Sequence, residues 1–317
     1  MKKLLPFLLV LVLGIFLAAC GSEDAKDETN AAEPESEKAE TITVTHVLGE
    51  TEVPKNPEKV VVFDFGILDS MDKLGVEVAA VPQTNIPSYL EKFEGEEYVN
   101  AGSLKEPDFE AIHAMSPDLI IISGRQAEMY PELEEIAPTI SMALDTTDYM
   151  NSFEGNMQLL GEIFGKEDEV AEELVAINET IDGIKEISAA SDERGLILLA
   201  NEGKVSAYGP SSRFGIIHDV FGVEAADPGI ESSTHGQSIT FEYVLEQNPD
   251  MLFVIDRTAA VGGEVGAQET VENELVQKTN AYKNGKIFYL DPDFWYLSGG
   301  GLQSVNQMVE DISAAYE

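Results

Sequence analysis

The stretches "DFEAIHAMSPDLIIISGR" (residues 108–125) and "TFEYVLEQNPDMLFVIDR" (residues 240–257) align without a gap, and their common pattern decides the fold. Phe109 matches Phe241, Glu110 matches Glu242, Pro117 matches Pro249, Asp118 matches Asp250 and Arg125 matches Arg257. In each copy an N-cap residue, Asp108 or Thr240, precedes a short helical pattern. Pro-Asp closes it, and a continuous apolar run of the kind that forms a buried strand follows. Each strand is expected to end in its arginine. A looser pair, "FGILDSMDKLGVEVAA" and "FGIIHDVFGVEAA", begins at Phe65 and Phe214. Internal repetition of this kind predicts two similar α/β lobes.

Outward from the repeat, "KVVVFDF" and "TISMAL" are strand candidates in the first half, and "GLILLANE", "KVSAYG" and "KIFYLD" in the second. Helical patterns separate them, which predicts parallel sheets with helical crossovers. Between the halves, Val170, Leu174, Ile177, Ile181, Ile184 and Ile187 recur at helical spacing. One long connecting helix is therefore expected over residues 167–190, with an N-terminal lobe over 43–166 and a C-terminal lobe over 191–317. A stiff helix between lobes differs from the thin strand hinges that permit wide closure.

The chain has 317 residues, 59 acidic and 19 basic, for a formal net charge of −40. A field of that sign disfavours nucleic acid and anionic lipid as partners. Residues 1–19 combine two lysines with an apolar run, as an export signal does. The following "LAAC" resembles the lipobox of bacterial lipoproteins, which implies cleavage before Cys20 and lipidation of that residue. Cys20 is the sole cysteine, so no intrachain disulfide forms. Residues 20–42 are polar, acidic and nearly free of large apolar groups, and a flexible tether is expected there.

Only four arginines stand against fifteen lysines, and three of the four, Arg125, Arg213 and Arg257, follow strand candidates. Ligands of open α/β sheets bind beyond the carboxyl ends of the strands. Guanidinium groups converging there supply forked donors and fixed charge for a compact anion rich in oxygen. For any single arginine the competing reading is a surface ion pair with one of the many carboxylates.

Taken together, the lipobox, the repeated lobes, the helical connector, "GSLKEPDFEAI", "PDLIIISGRQ", "GPSSRFGIIHDVFGV", "STHGQS" and "FWYLSGGG" resemble the siderophore-binding lipoproteins of bacterial ABC importers, in the petrobactin-type catecholate branch. The resemblance covers essentially all of the chain after the tether. It implies the class III periplasmic-binding-protein fold: two Rossmann-like lobes, a rigid helix joining them and a ligand cleft between. It also implies a ferric catecholate siderophore held by Arg125, Arg213 and Arg257, with Trp295 at the pocket.

Ferric iron prefers oxygen donors, and a siderophore with only two catecholates leaves two coordination positions open. In the resembling branch a His and a Tyr fill them, which maps to His235 and Tyr296; imidazole suits iron among other metals. The plainer alternatives are a loop-capping histidine and an aromatic pocket wall. Glu110 and Glu242 match the positions at which such proteins dock onto permease arginines, although a carboxylate in a helix's first turn also serves the helix dipole. The implied partners are the permease, its ATPase subunits and, through the lipid, the outer face of the membrane. The protein itself is expected to be monomeric and without a cofactor.

No G-x-S-x-G or H-E-x-x-H motif occurs, so an enzyme is not expected. "SGGG" lacks the Lys and Ser or Thr of a phosphate-binding loop and is expected to lead into the last helix. Haem, cobalamin and divalent metal ions, the last through His46, His113, His218 and His235, are the alternative cargoes of the same importer class.

Overall fold

The computed structural model of the protein describes residues 40–316. The export signal, Cys20 and nearly all of the tether lie outside them. Thr41 and Ile42, which composition assigns to the tether, instead open strand β1 (Thr41–His46), paired antiparallel with β2 (Gly49–Pro54). Val44, Thr51 and Val53 turn inward from this hairpin and are buried, while most of its other side chains are exposed.

The first sheet contains β3 (Val60–Val62), β4 (Ala80–Val81), β5 (Val99–Asn100), β6 (Leu119–Ile122) and β7 (Thr139–Ser141), in the order β5-β4-β3-β6-β7. All of its pairings are parallel. The second sheet contains β8 (Arg194–Asn201), β9 (Lys204–Tyr208), β10 (Glu224–Ala225), β11 (Gln237–Ile239), β12 (Met251–Asp256) and β13 (Ile287–Leu290). Its order is β11-β9-β8-β12-β13, with β10 beside β8.

This second sheet is mixed, where the sequence pattern leads one to expect a parallel one. Strands β8 and β9 are joined by Glu202 and Gly203, both at positive φ (49° and 74°). Two such residues form the tight hairpin turn that matches strand twist, so β9 returns antiparallel, and β11 pairs antiparallel in turn.

The repeat folds as a repeat. Helix Phe109–Met115 is capped by Asp108, which accepts from Ala111 N–H, and helix Phe241–Gln247 by Thr240, which accepts from Tyr243 N–H. Each ends one residue before its proline, on a left-handed Ser116 (φ 50°) or Asn248 (φ 43°). The aspartate after each proline pins the start of the neighbouring central strand. Asp118 accepts from the backbone of Glu58 and Lys59, and Asp250 from Arg194 N–H.

Buried strands alternate between two interiors. Val60, Val62, Leu119 and Ile121 share a continuous core with Ile197, Leu199, the connecting helix Glu167–Ala189 and the C-terminal helix Leu302–Ala314. Val61, Ile120 and Ile122 face a smaller core on the outer side of the first sheet, and Leu196, Leu198 and Ala200 one outside the second.

The C-terminal helix, though it lies in the segment assigned to the second lobe, docks on the first. Leu302 N–H donates to Ser70 Oγ (2.9 Å), and Gln303 and Ser304 N–H donate to Asp69 (3.2 and 3.0 Å). Asp69 and Ser70 belong to the first helix, Phe65–Lys73, whose own cap is Asp64. A Cβ on Gly301 would stand 2.1 Å from both Asp69 Oδ1 and Gly66 O, so this junction admits only glycine. "SGGG" is thus the loop entering the last helix, as expected.

Candidate ligand-binding site

Beyond the carboxyl ends of both central strands lie two adjoining cavities. The larger, about 590 Å³, is walled by Arg125 and Leu144 from the first lobe and by Arg213, Ser233 and Trp295 from the second. The smaller, about 230 Å³, lies within the second lobe and is walled by Arg257, Lys204, Tyr208, His235 and Tyr296. Arg213 and Thr234 belong to both walls.

The arginines sit slightly later than the sequence pattern suggests. β6 ends at Ile122, and Arg125 falls in the 3-10 helix Gly124–Met129. β12 ends at Asp256, and Arg257 opens the short helix Arg257–Val261. Turning the chain into a helix just past the strand aims both side chains across the sheet end. All six ion pairs among the described residues use lysine, so the surface-pair alternative is not realised for any of the four arginines.

Tyr296 is held between two of these cations. Arg213 donates to its carbonyl and lies 4.3 Å above its ring, while Arg257 Nε donates to its phenolic oxygen (2.9 Å). Arg257 is oriented in turn by Asn201 Oδ1 (2.9 Å). Burial alone would push the Tyr296 phenol up, but Arg213 and Arg257 outweigh it and hold the group below the usual tyrosine range. The phenolate, the form that binds a hard cation, is thereby favoured. Burial, reinforced by the facing charge of Arg125, shifts Arg213 down from its ordinary value, yet a guanidinium remains charged. Two facing cations on one cavity form a receptor for an anion, although Asp64, the cap of the first helix, also lines that cavity and feels the charge of Arg125.

Tyr296 and Trp295 lie in a π-helical turn, Asp293–Ser298, a distortion common at functional sites. Trp295 is 2% exposed and its indole N–H is taken by Asp311 (2.8 Å), so it backs the wall and offers no free donor. His235 is exposed in the loop before β11, on the smaller cavity. Gly236 beside it has φ 69°, and a Cβ there would lie 2.6 Å from Tyr208 Cε2. This glycine lets the histidine loop settle on the Tyr208 ring.

The other histidines are elsewhere. His46 shares a hydrogen bond with Thr51, His218 Nδ1 faces Val223 O, and His113 lies on the exposed helix beside Glu110. Among the described residues no group of three or more His, Cys, Asp or Glu is placed to hold a metal. Glu110 and Glu242 are exposed in the first turns of the two repeat helices, and the Glu242 backbone N–H, helped by Thr240, pulls the latter's carboxyl down.

Sequence reasoning passed over Tyr208 and Asn201. Burial pushes the Tyr208 phenol up to about 12 even with Arg213 and Arg257 opposing. Both residues are strand-end positions in apolar runs, where nothing local marks a polar group that faces a cavity.

The profile of the periplasmic binding proteins matches residues 60–294. The chain belongs to that family. Its fold is the class III fold, and the members it resembles are substrate-binding proteins. Over its full length it is 48% identical to the whole of the petrobactin-binding protein YclQ of Bacillus subtilis. The crystal structure of that protein superposes with a TM-score of 0.86 at 51% identity, covering 88% of this chain and 99% of the other. The catecholate-siderophore binding protein VctP of Vibrio cholerae follows at 38% identity and a TM-score of 0.83, covering 87% and 100%.

Proposed function

We propose that this family member captures a ferric catecholate siderophore of the petrobactin type outside the cell and presents it to the permease of an ABC importer. The observation that carries the reading is the cluster of Arg125, Arg213 and Arg257, none of them in an ion pair among the described residues, around two adjoining cavities, the smaller of which His235 and Tyr296 also line. A ferric catecholate is a compact, multiply charged anion whose charge lies on oxygen, which forked guanidinium donors match. The kinship with a petrobactin-binding protein supports the same class of ligand. Iron here is cargo. With a siderophore that supplies only two catecholates, His235 and Tyr296 complete the iron sphere; with a hexadentate one they line the pocket.

Lipidation at Cys20 holds the protein at the membrane's outer face. Among the described residues no helix is long and apolar enough to cross a membrane. Titration with ferric catecholates and ferric hydroxamates, followed by quenching of the single Trp295, tests the reading. Catecholates quench at submicromolar concentration and hydroxamates do not; an equal response to both classes refutes the assignment.

Glu110 and Glu242 are the docking carboxylates of this reading, one on each lobe. Neither lines the arginine cavities. Glu110→Arg or Glu242→Arg leaves siderophore affinity within about twofold and abolishes uptake in cells, because like charges facing the permease are costly. Loss of affinity in the purified variants would move these residues into the binding site.

A further inference from the structure

The smaller cavity contains a polar group that neither the fold nor the arginines use. Tyr208, the last residue of β9, is 1% exposed, and its phenolic oxygen has no hydrogen-bond partner among the described residues. Native interiors rarely leave such a group unpaired, and each exception calls for a reason. Packing does not supply one. The ring meets Phe214 edge-on at 4.7 Å and lies beneath Gly236, and a phenylalanine would do both without the cost of a buried hydroxyl.

The surroundings restrict what the hydroxyl serves. Arg213, Arg257 and Lys204 line the same cavity, none of its described lining residues is a carboxylate, and guanidinium and ammonium groups accept no hydrogen bond. The phenol lies beside Arg213 and Arg257 and takes no partner from the amide and hydroxyl groups on the same wall, so its donor is left for an acceptor that arrives with the ligand. Size narrows that ligand further. A cavity of about 150 Å³ holds one benzene ring. The 230 Å³ here suits one such ring with two oxygens and is too small for a whole siderophore.

We propose that the smaller cavity is a subsite for a single catecholate arm, and that Tyr208 Oη donates a hydrogen bond to one of its anionic oxygens while Arg257 pairs with the arm from beside it. The inference rests on the ferric catecholate reading above. Arg213, on both walls, then lies between this arm and the remainder of the ligand in the larger cavity. Because the Gly236 turn presses on the Tyr208 ring, the loop that carries His235 closes over the same arm.

Tyr208→Phe in the full chain, titrated with the ferric complex of 2,3-dihydroxybenzoate, tests this. A hydrogen bond to a charged acceptor predicts about a tenfold weaker Kd. The melting temperature of the ligand-free variant stays equal to or above that of the wild type, since an unpaired buried hydroxyl has been removed. Unchanged affinity overturns the proposal. So does a weaker Kd accompanied by a lower ligand-free melting temperature, which assigns the hydroxyl to packing. Wild-type protein that fails to bind the ferric catecholate refutes the underlying reading instead, and the subsite falls with it.

Discussion

Arg213→Ala weakens binding of a ferric catecholate by about 2 to 5 kcal/mol, a loss of roughly thirtyfold to several thousandfold, as expected when one member of a desolvated charge pair is removed. Arg213 carries the largest effect of the three arginines because it walls both cavities and also holds the Tyr296 backbone and ring. Its loss removes one of the two cations that keep the Tyr296 phenol low. Arg213→Lys retains the charge but not the fork or the stacking, and recovers only part of the affinity. Arg194→Ala is the control. Arg194 begins β8 while the site lies past its end, and eight residues at about 3.3 Å each separate the two by roughly 26 Å. Equal losses in the Arg194 and Arg213 variants, measured by fluorescence titration, would place the ligand elsewhere.

The second large effect concerns stability. Asp69 is fully buried in the first helix and accepts from Gln303 N–H, Ser304 N–H, Ser70 Oγ–H and Tyr89 Oη–H. Asp69→Ala strands several donors at once, including the N-terminus of the C-terminal helix. The expected cost is about 3 kcal/mol or more, which lowers the melting temperature by roughly 5 to 10 °C.

Burial pushes the Asp69 carboxyl up to about 7, against the pull of its donors, the side chain and backbone of Ser304 foremost. An acid whose folded value exceeds its unfolded value of about 3.9 binds its proton more tightly in the native state. Its contribution is therefore full below about pH 4 and is lost as pH rises through about 7. Denaturant unfolding of wild type and Asp69→Asn between pH 5 and pH 8 reads this directly. The wild type loses stability relative to the Asn variant as pH rises, by up to about 1.4 kcal/mol per pH unit between about pH 5 and 6, and the loss levels off above about pH 7. A constant difference would mean that Asp69 stays ionised throughout.

Local pattern was sufficient for the halves of this molecule. The caps Asp108 and Thr240, the apolar runs of β3, β6, β8 and β12, and the inward Val170, Leu174, Ile177, Ile181 and Ile184 of the connecting helix are set by interactions within a few positions or by periodicity, and these survive in a one-dimensional string; Ile187, which the same spacing puts on the stripe, is exposed in the helix's last turn. The matched arginines were legible for a related reason: a repeated fold places equivalent residues at equivalent sheet ends. The mixed second sheet was less legible, because its direction hangs on two residues, Glu202 and Gly203, both at positive φ.

What only the tertiary structure decided are the meetings of distant segments. The C-terminal helix crosses to the first lobe because Asp69 and Ser70 satisfy its N-terminal donors, more than 230 positions away in sequence. Tyr296 becomes an acidic phenol because Arg213 and Arg257 reach it from separate segments, and Tyr208 becomes a donor without an acceptor because the Gly236 turn and two arginines lie against it. Sequence fixes which groups a chain carries and the local geometry of their backbone. The field and hydrogen-bond partners around a side chain depend on which remote groups pack within a few ångströms of it, and that is set by three-dimensional closure of the core.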